Sequence, residues 1–84
     1  MVIRNLLWNK PLPHVASSKI YWVQANGIKE SYEVYKEENK YRALAVKDGK
    51  GTILGLFSTY TEAKEVCNKR NKELAERAFE DWIQ

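Results

Sequence analysis

Few side chains in this 84-residue chain have the identity and spacing that bond-making chemistry requires. His14, the only histidine, stands between Pro13 and Val15 with no cysteine or second histidine at metal-ligand spacing, which argues against a metal centre or a histidine-based acid–base pair. Cys67 is the only cysteine, so no intramolecular disulfide can form, and its place in a helical pattern marks it as a small core hydrophobe and not a nucleophile. Asp48-Gly49-Lys50-Gly51 lacks the Gly-Lys-Ser/Thr ending and the following helix of a phosphate loop, so it reads as a hairpin turn. With no catalytic constellation elsewhere, we expect a binding module, not an enzyme, with no cofactor and no metal.

Binding chemistry rests on lysines and aromatics. The chain has 14 basic and 11 acidic residues, a net charge of +3 that permits contact with nucleic acid without requiring it. Lys36, Lys40, Lys47 and Lys50 fall at the ends of candidate strands, where they would reach phosphates. Ile20, Trp22, Tyr35, Tyr41 and Ile53 are assigned to one sheet face, where aromatics can stack on bases or anchor a protein. A competing reading has the N-terminal arm cover that face. The helical cations Lys69, Arg70 and Lys72 lie among Glu65, Glu73 and Glu76 and read as a solvated surface.

The elements that must position these groups form one domain, residues 1–84, of the α+β class: a three- to four-stranded antiparallel meander sheet packed on one long C-terminal helix, with an extended N-terminal arm. The arm, residues 1–18, carries the apolar tip Ile3, Leu6, Leu7 and Trp8 ahead of Pro11 and Pro13, with room for one short helical turn. Arg4, Asn5, Asn9 and Lys10 interrupt the tip before a membrane span of ~20 residues could build up, so a reducing, cytoplasmic setting is expected.

The sheet is assigned to residues 19–57. Asn26-Gly27 is a two-residue hairpin signal that would place Ala25 opposite Ile28 and Tyr21 opposite Tyr32. A three-residue turn at Glu37-Glu38-Asn39 would set Val34 opposite Arg42 and Tyr32 opposite Leu44, putting Tyr32, Val34, Leu44 and Val46 on the core face. The third turn is Asp48 to Gly51, followed by a strand from Thr52 to Phe57.

The helix is assigned to residues 59–83. Thr59 with Glu62 forms a capping-box pattern, and Ala63, Val66, Cys67, Leu74, Ala75, Ala78, Phe79, Trp82 and Ile83 recur on one side. Glu65 with Lys69 and Glu73 with Arg77 are i,i+4 pairs in the favourable order. Such a helix is ~36 Å long against ~20 Å for a six-residue strand, so its second half overhangs the sheet. Leu6, Leu7 and Trp8 are expected to cover the overhang at Phe79 and Trp82, within one chain or across a swapped homodimer.

Tyr32-Glu33-Val34-Tyr35, then Lys40 to Asp48, then Leu54-Gly55-Leu56-Phe57-Ser58-Thr59 and Glu62-Ala63 resemble the plant AP2/ERF DNA-binding domain and the arm-binding N-terminal domain of phage and transposon integrases. The resemblance implies a three-stranded sheet, backed by one helix, that lays its open face in the DNA major groove. The positions matching the reading face are Glu33, Tyr35, Ala45, Lys47 and Ile53, of which only Lys47 is basic, so phosphate contacts are expected in place of arginine forks.

Two readings follow. The first is a small DNA-binding protein, of phage or mobile-element type, using Lys36, Lys40, Lys47, Lys50, Tyr35 and Tyr41. The second is a protein-interaction module, an inhibitor or adaptor of a larger protein, anchored by Trp22, Tyr35, Tyr41 and Ile53. Neither involves a membrane, and either is compatible with a homodimer.

Overall fold

Three turns and one helix cap set the architecture. The computed structural model describes residues 4–10, 12–14 and 17–83, with side chains described for residues 4–10, 22–36 and 38–78. The strands are β1 (Leu12–His14), β2 (Ser17–Asn26), β3 (Ser31–Glu37), β4 (Lys40–Lys47) and β5 (Lys50–Phe57), and the helix is α1 (Tyr60–Ile83). All neighbours are antiparallel and in chain order, so a four-stranded meander carries the short β1 on one edge. Pro13 lies in that edge strand, the place in a sheet where a residue without an N–H is tolerated.

The expected α+β meander with a C-terminal helix is what forms, but two of its registers differ in instructive ways. The β2–β3 connection is a four-residue loop, residues 27–30, closed by Asn26 opposite Ser31 and not by an Asn-Gly turn. Tyr32 therefore faces Ala25, and Tyr21 faces Lys36. Tertiary contacts hold this loop open: the Asn71 side-chain oxygen on α1 accepts the Ile28 amide at 2.9 Å, and the Gly27 amide donates to the Glu30 carbonyl at 2.9 Å. Gly27 is needed for space, because a Cβ there would lie 2.5 Å from Asn71 Oδ1 and 2.7 Å from the Glu30 carbonyl oxygen. This slip moves the pairing by an even number of residues, so the described β2 side chains, residues 22–26, keep their expected face.

The β3–β4 turn is two residues, Glu38-Asn39, with Glu38 at φ 53°. One residue fewer than expected is an odd slip, which exchanges the faces of all β4 side chains. Tyr32 pairs with Ala45 and Val34 with Ala43, and these four are buried against the helix. Leu44 and Val46, expected in the core, point to the opposite face. The β4–β5 turn is also tighter than expected: Asp48 (φ 53°) and Gly49 (φ 77°) both take positive φ, as a type I′ hairpin needs, and β5 starts at Lys50. A bulge gives β5 an extra residue at Leu54, which packs against the core.

The helix starts where the capping box requires. Thr59 Oγ1 accepts the Glu62 amide at 3.2 Å, and the Thr59 carbonyl accepts the first helical bond from Ala63. Ala63, Cys67, Asn71 and Ala75, four residues apart, form the buried stripe. These side chains are small, as are Ala43 and Ala45 across from them, so backbone and helix approach closely. The helix contacts β3, β4 and β5 but not β2. A cylinder of ~10 Å cannot cover four strands ~4.8 Å apart, and the N-terminal arm fills the remainder.

Leu6 is that filler. It is buried in one cluster with Val23 and Ala25 of β2 and Ala63 and Cys67 of α1. Its amide donates to Asn68 Oδ1 at 2.7 Å, and Asn9 ties the arm to β2 through Asn9 N to Gln24 O (3.1 Å) and Gln24 N to Asn9 Oδ1 (2.7 Å). The arm thus folds back on its own helix, at residues 64 and 68 and not on the overhang, and its described residues 4–10 are irregular. Leu7 is 90% exposed. The side chains of Phe79, Trp82 and Ile20 lie outside the described residues. Neither expected i,i+4 ion pair closes among the described residues; Arg70 instead pairs with Glu30 of the β2–β3 loop.

Candidate binding surface

Alternation along the strands sorts the candidate residues onto two faces. On the face away from α1, cross-strand register builds one row from Trp22, Tyr35, Arg42 and Leu56 and a second from Gln24, Glu33, Leu44 and Ile53. Trp22 and Tyr35 stack with centroids 6.3 Å apart and planes at 23°. The Tyr35 hydroxyl donates to Glu33 Oε2 at 3.2 Å, and burial together with the Glu33 charge raises the Tyr35 phenol above its ordinary value. Ile53 is 65% exposed and Leu56 57% exposed. The described arm residues 4–10 lie on the helix side and do not cover this face, and the rest of the arm's side chains lie outside the described residues.

Of the expected anchors, Trp22, Tyr35 and Ile53 come together here, and Tyr41 does not. Tyr41 lies on the covered face, its ring 4.2 Å from that of Tyr60. There the rings and cations alternate: Lys36 Nζ sits 6.0 Å from the Tyr41 centroid, and Lys64 Nζ sits 5.2 Å from Tyr60 and 5.8 Å from Trp8. Burial raises the Tyr60 phenol.

The four lysines do not share the open face. Lys36, Lys47 and Lys50 follow the covered side of their strands, and only Lys40 follows the open side, at its margin. Of the positions matched to a groove-reading face, Ala45 is buried and Lys47 is on the helix side, both moved by the one-residue slip at Glu38-Asn39. Arg42, Leu44 and Leu56, which sequence reasoning left out, take their places. The signal available was the length of that turn, but Glu is a poor marker for a positive-φ position.

Buried chemistry is structural. Cys67 is fully buried, and desolvation followed by the Glu30 charge pushes its thiol up to about 12, which keeps it protonated and unreactive at neutral pH. Among the described residues no three His, Cys, Asp or Glu side chains gather to hold a metal ion, and no helix is long and apolar enough to cross a membrane. Asn68 and Asn71, absent from the expected site, are the polar members of the inward helix face and hold the arm and the β2–β3 loop.

Glu30 is nearly buried, with 6% of its side chain exposed, and Arg70 grips it through Nε to Oε2 (2.5 Å) and Nη2 to Oε1 (3.2 Å). Burial alone would raise the carboxyl, but the Arg70 hydrogen bonds and charge, with Lys47 behind them, hold it below its ordinary value. Tyr32 lies under this pair, and burial with the Glu30 charge raises its phenol well above the usual tyrosine range. No protein-family model, curated protein or solved structure matches the chain, so what stands of the resemblance to sheet-reading DNA-binding domains is the small antiparallel meander with its C-terminal helix.

Proposed function

We propose that the chain is a non-enzymatic module that receives a protein partner on the open face of its sheet. The carrying observation is the row Trp22, Tyr35, Arg42 and Leu56 beside Ile53. It joins the residue types that dominate binding energy in protein interfaces to two exposed aliphatic side chains. Charge supports a protein over a polyanion: Arg42 and Glu33 offset each other there, and Lys40 at the margin is opposite Glu37 in the register. An apolar partner surface fits this face better than a duplex, whose affinity comes mainly from neutralised phosphates.

A photo-crosslinking amino acid at position 53 in the full chain, expressed in its native cell, tests the reading. A discrete crosslinked protein is expected, lost on Leu56→Asp, while the same probe at the exposed arm position 7 captures nothing comparable. Labelled duplex DNA should not be retained through this face, so any retention at low salt should be unchanged by Arg42→Glu. Retention that weakens steeply with salt and with Arg42→Glu would replace this reading with the DNA one, and capture unchanged by Leu56→Asp would sink it.

A further inference from the structure

The β2–β3 loop and the β4–β5 turn emerge at the same end of the sheet, and α1 runs past both before it overhangs. Between them lies a groove of about 370 Å³. Lys29 comes from the loop, Lys47 from the end of β4, and Arg70 and Arg77 from the helix, around Glu30 on the floor and Leu74 on the wall. The groove holds four cations and one carboxylate, a balance of +3. That equals the net charge of the whole chain, so the rest of the molecule is neutral in sum.

The floor is already satisfied. Arg70 occupies both oxygens of Glu30, using its Nε and Nη2 donors, and three guanidinium N–H groups remain. Among the described residues, Lys29, Lys47 and Arg77 have no ion pair. Asp48, on the turn beside Lys47 and Lys50, and Glu73, which lines a neighbouring groove with Lys69 and Arg70, do not line this one. Like charges converging on a concave, partly apolar wall concentrate a positive potential, and an anion bound there would relieve their repulsion. The helix C-terminus, whose dipole would oppose an anion, lies beyond Ala78, and its influence is confined to the last turn.

We propose that this groove is a phosphoryl-anion site. Lys29, Lys47 and Arg77 donate to the phosphate oxygens, the Arg70–Glu30 pair fixes the floor, and Leu74 offers contact to whatever carries the phosphate. It lies on the helix side of the sheet and does not depend on the partner reading of the open face. The phosphate is either free or carried on a nucleic-acid backbone.

Amide NMR of the full chain, titrated with inorganic pyrophosphate and in parallel with a short DNA duplex at fixed ionic strength, tests it. Saturable shifts are expected at Lys29, Glu30, Lys47 and residues 70–78, with Trp22, Arg42 and Ile53 unmoved. In Lys47→Gln/Arg77→Gln the affinity should fall at least about tenfold. Should that pair of changes disturb the fold, Lys29→Gln in the loop reads the same effect. Stronger binding of the duplex than of pyrophosphate at these residues assigns the phosphate to a nucleic-acid backbone, and the reverse assigns it to a free phosphoryl group. No saturable shift with either probe, or shifts that survive both variants, overturns the proposal. A duplex that shifts only the open face while pyrophosphate shifts nothing overturns it too, and with it the protein reading of that face.

Discussion

The two faces of this sheet differ in how their side chains are matched to what covers them. The helix-covered face is built from Val23, Ala25, Tyr32, Val34, Ala43 and Ala45, all buried, whereas Leu44, Ile53, Leu56, Trp22 and Tyr35 line the face that water reaches. Tyr41, Leu54 and Phe57 complete the covered face at its rim, so large apolar side chains stand on both sides. The helix presents Ala63, Cys67, Asn71 and Ala75, and a close-packed interior admits only side chains that fill the space between two approaching backbones. Closeness of approach selected the small side chains directly under the helix, while large apolar side chains also stand on the face that the described residues leave uncovered.

The largest expected effect tests that contrast directly. Tyr32→Ala removes the largest fully buried side chain and should cost about 3–5 kcal/mol in chemical denaturation, whereas Leu44→Ala on the open face should cost about 1 kcal/mol or less. Equal costs would mean that the open face is also a core. Gly27→Ala follows, at about 1–3 kcal/mol, because its Cβ would strike Asn71 and the backbone of Glu30. Gly51→Ala, whose nearest neighbour would be Leu44 Cδ2 at 3.8 Å, should instead be neutral or stabilise by about 0.5 kcal/mol.

Acid sensitivity belongs to the covered side. The Glu30 carboxyl titrates below its ordinary value of 4.5 in the folded chain, so its contribution is complete above that value and is lost as pH falls through the depressed folded value. A plot of unfolding free energy against pH should therefore fall less steeply in this acid window for Glu30→Gln than for the parent. The smallest effect is expected for Ile53→Ser with Leu56→Ser, each within about 0.5 kcal/mol of the parent, while partner capture is lost. A larger loss would show that something ordinarily covers these side chains within the chain itself.

Much of the architecture could be read from local signals. Thr59 and Glu62 marked the helix start, Asp48-Gly49 marked a hairpin, and the periodicity after Tyr60 marked a single helix, because caps, turns and amphipathic spacing are chemistry among near neighbours. Trp22 and Tyr35 were correctly grouped, since the β2–β3 slip was even. Tyr41, Leu44, Val46, Ala45 and Lys47 were assigned to the wrong faces because a single residue of turn length at Glu38-Asn39 reverses a whole strand.

The amino-acid sequence by itself determined the order and kind of elements, the start of the helix and that Cys67 has no second cysteine in this chain to bridge with, because these depend on residues within a few positions of one another or on composition alone. Tertiary structure decided which face of β4 is inside, where Leu6 lodges, and that Glu30 and Arg70 meet across the fold. Those outcomes depend on how closely a helix of small side chains can approach a sheet and how many strands its width can cover, distances that exist only once the chain has closed on itself.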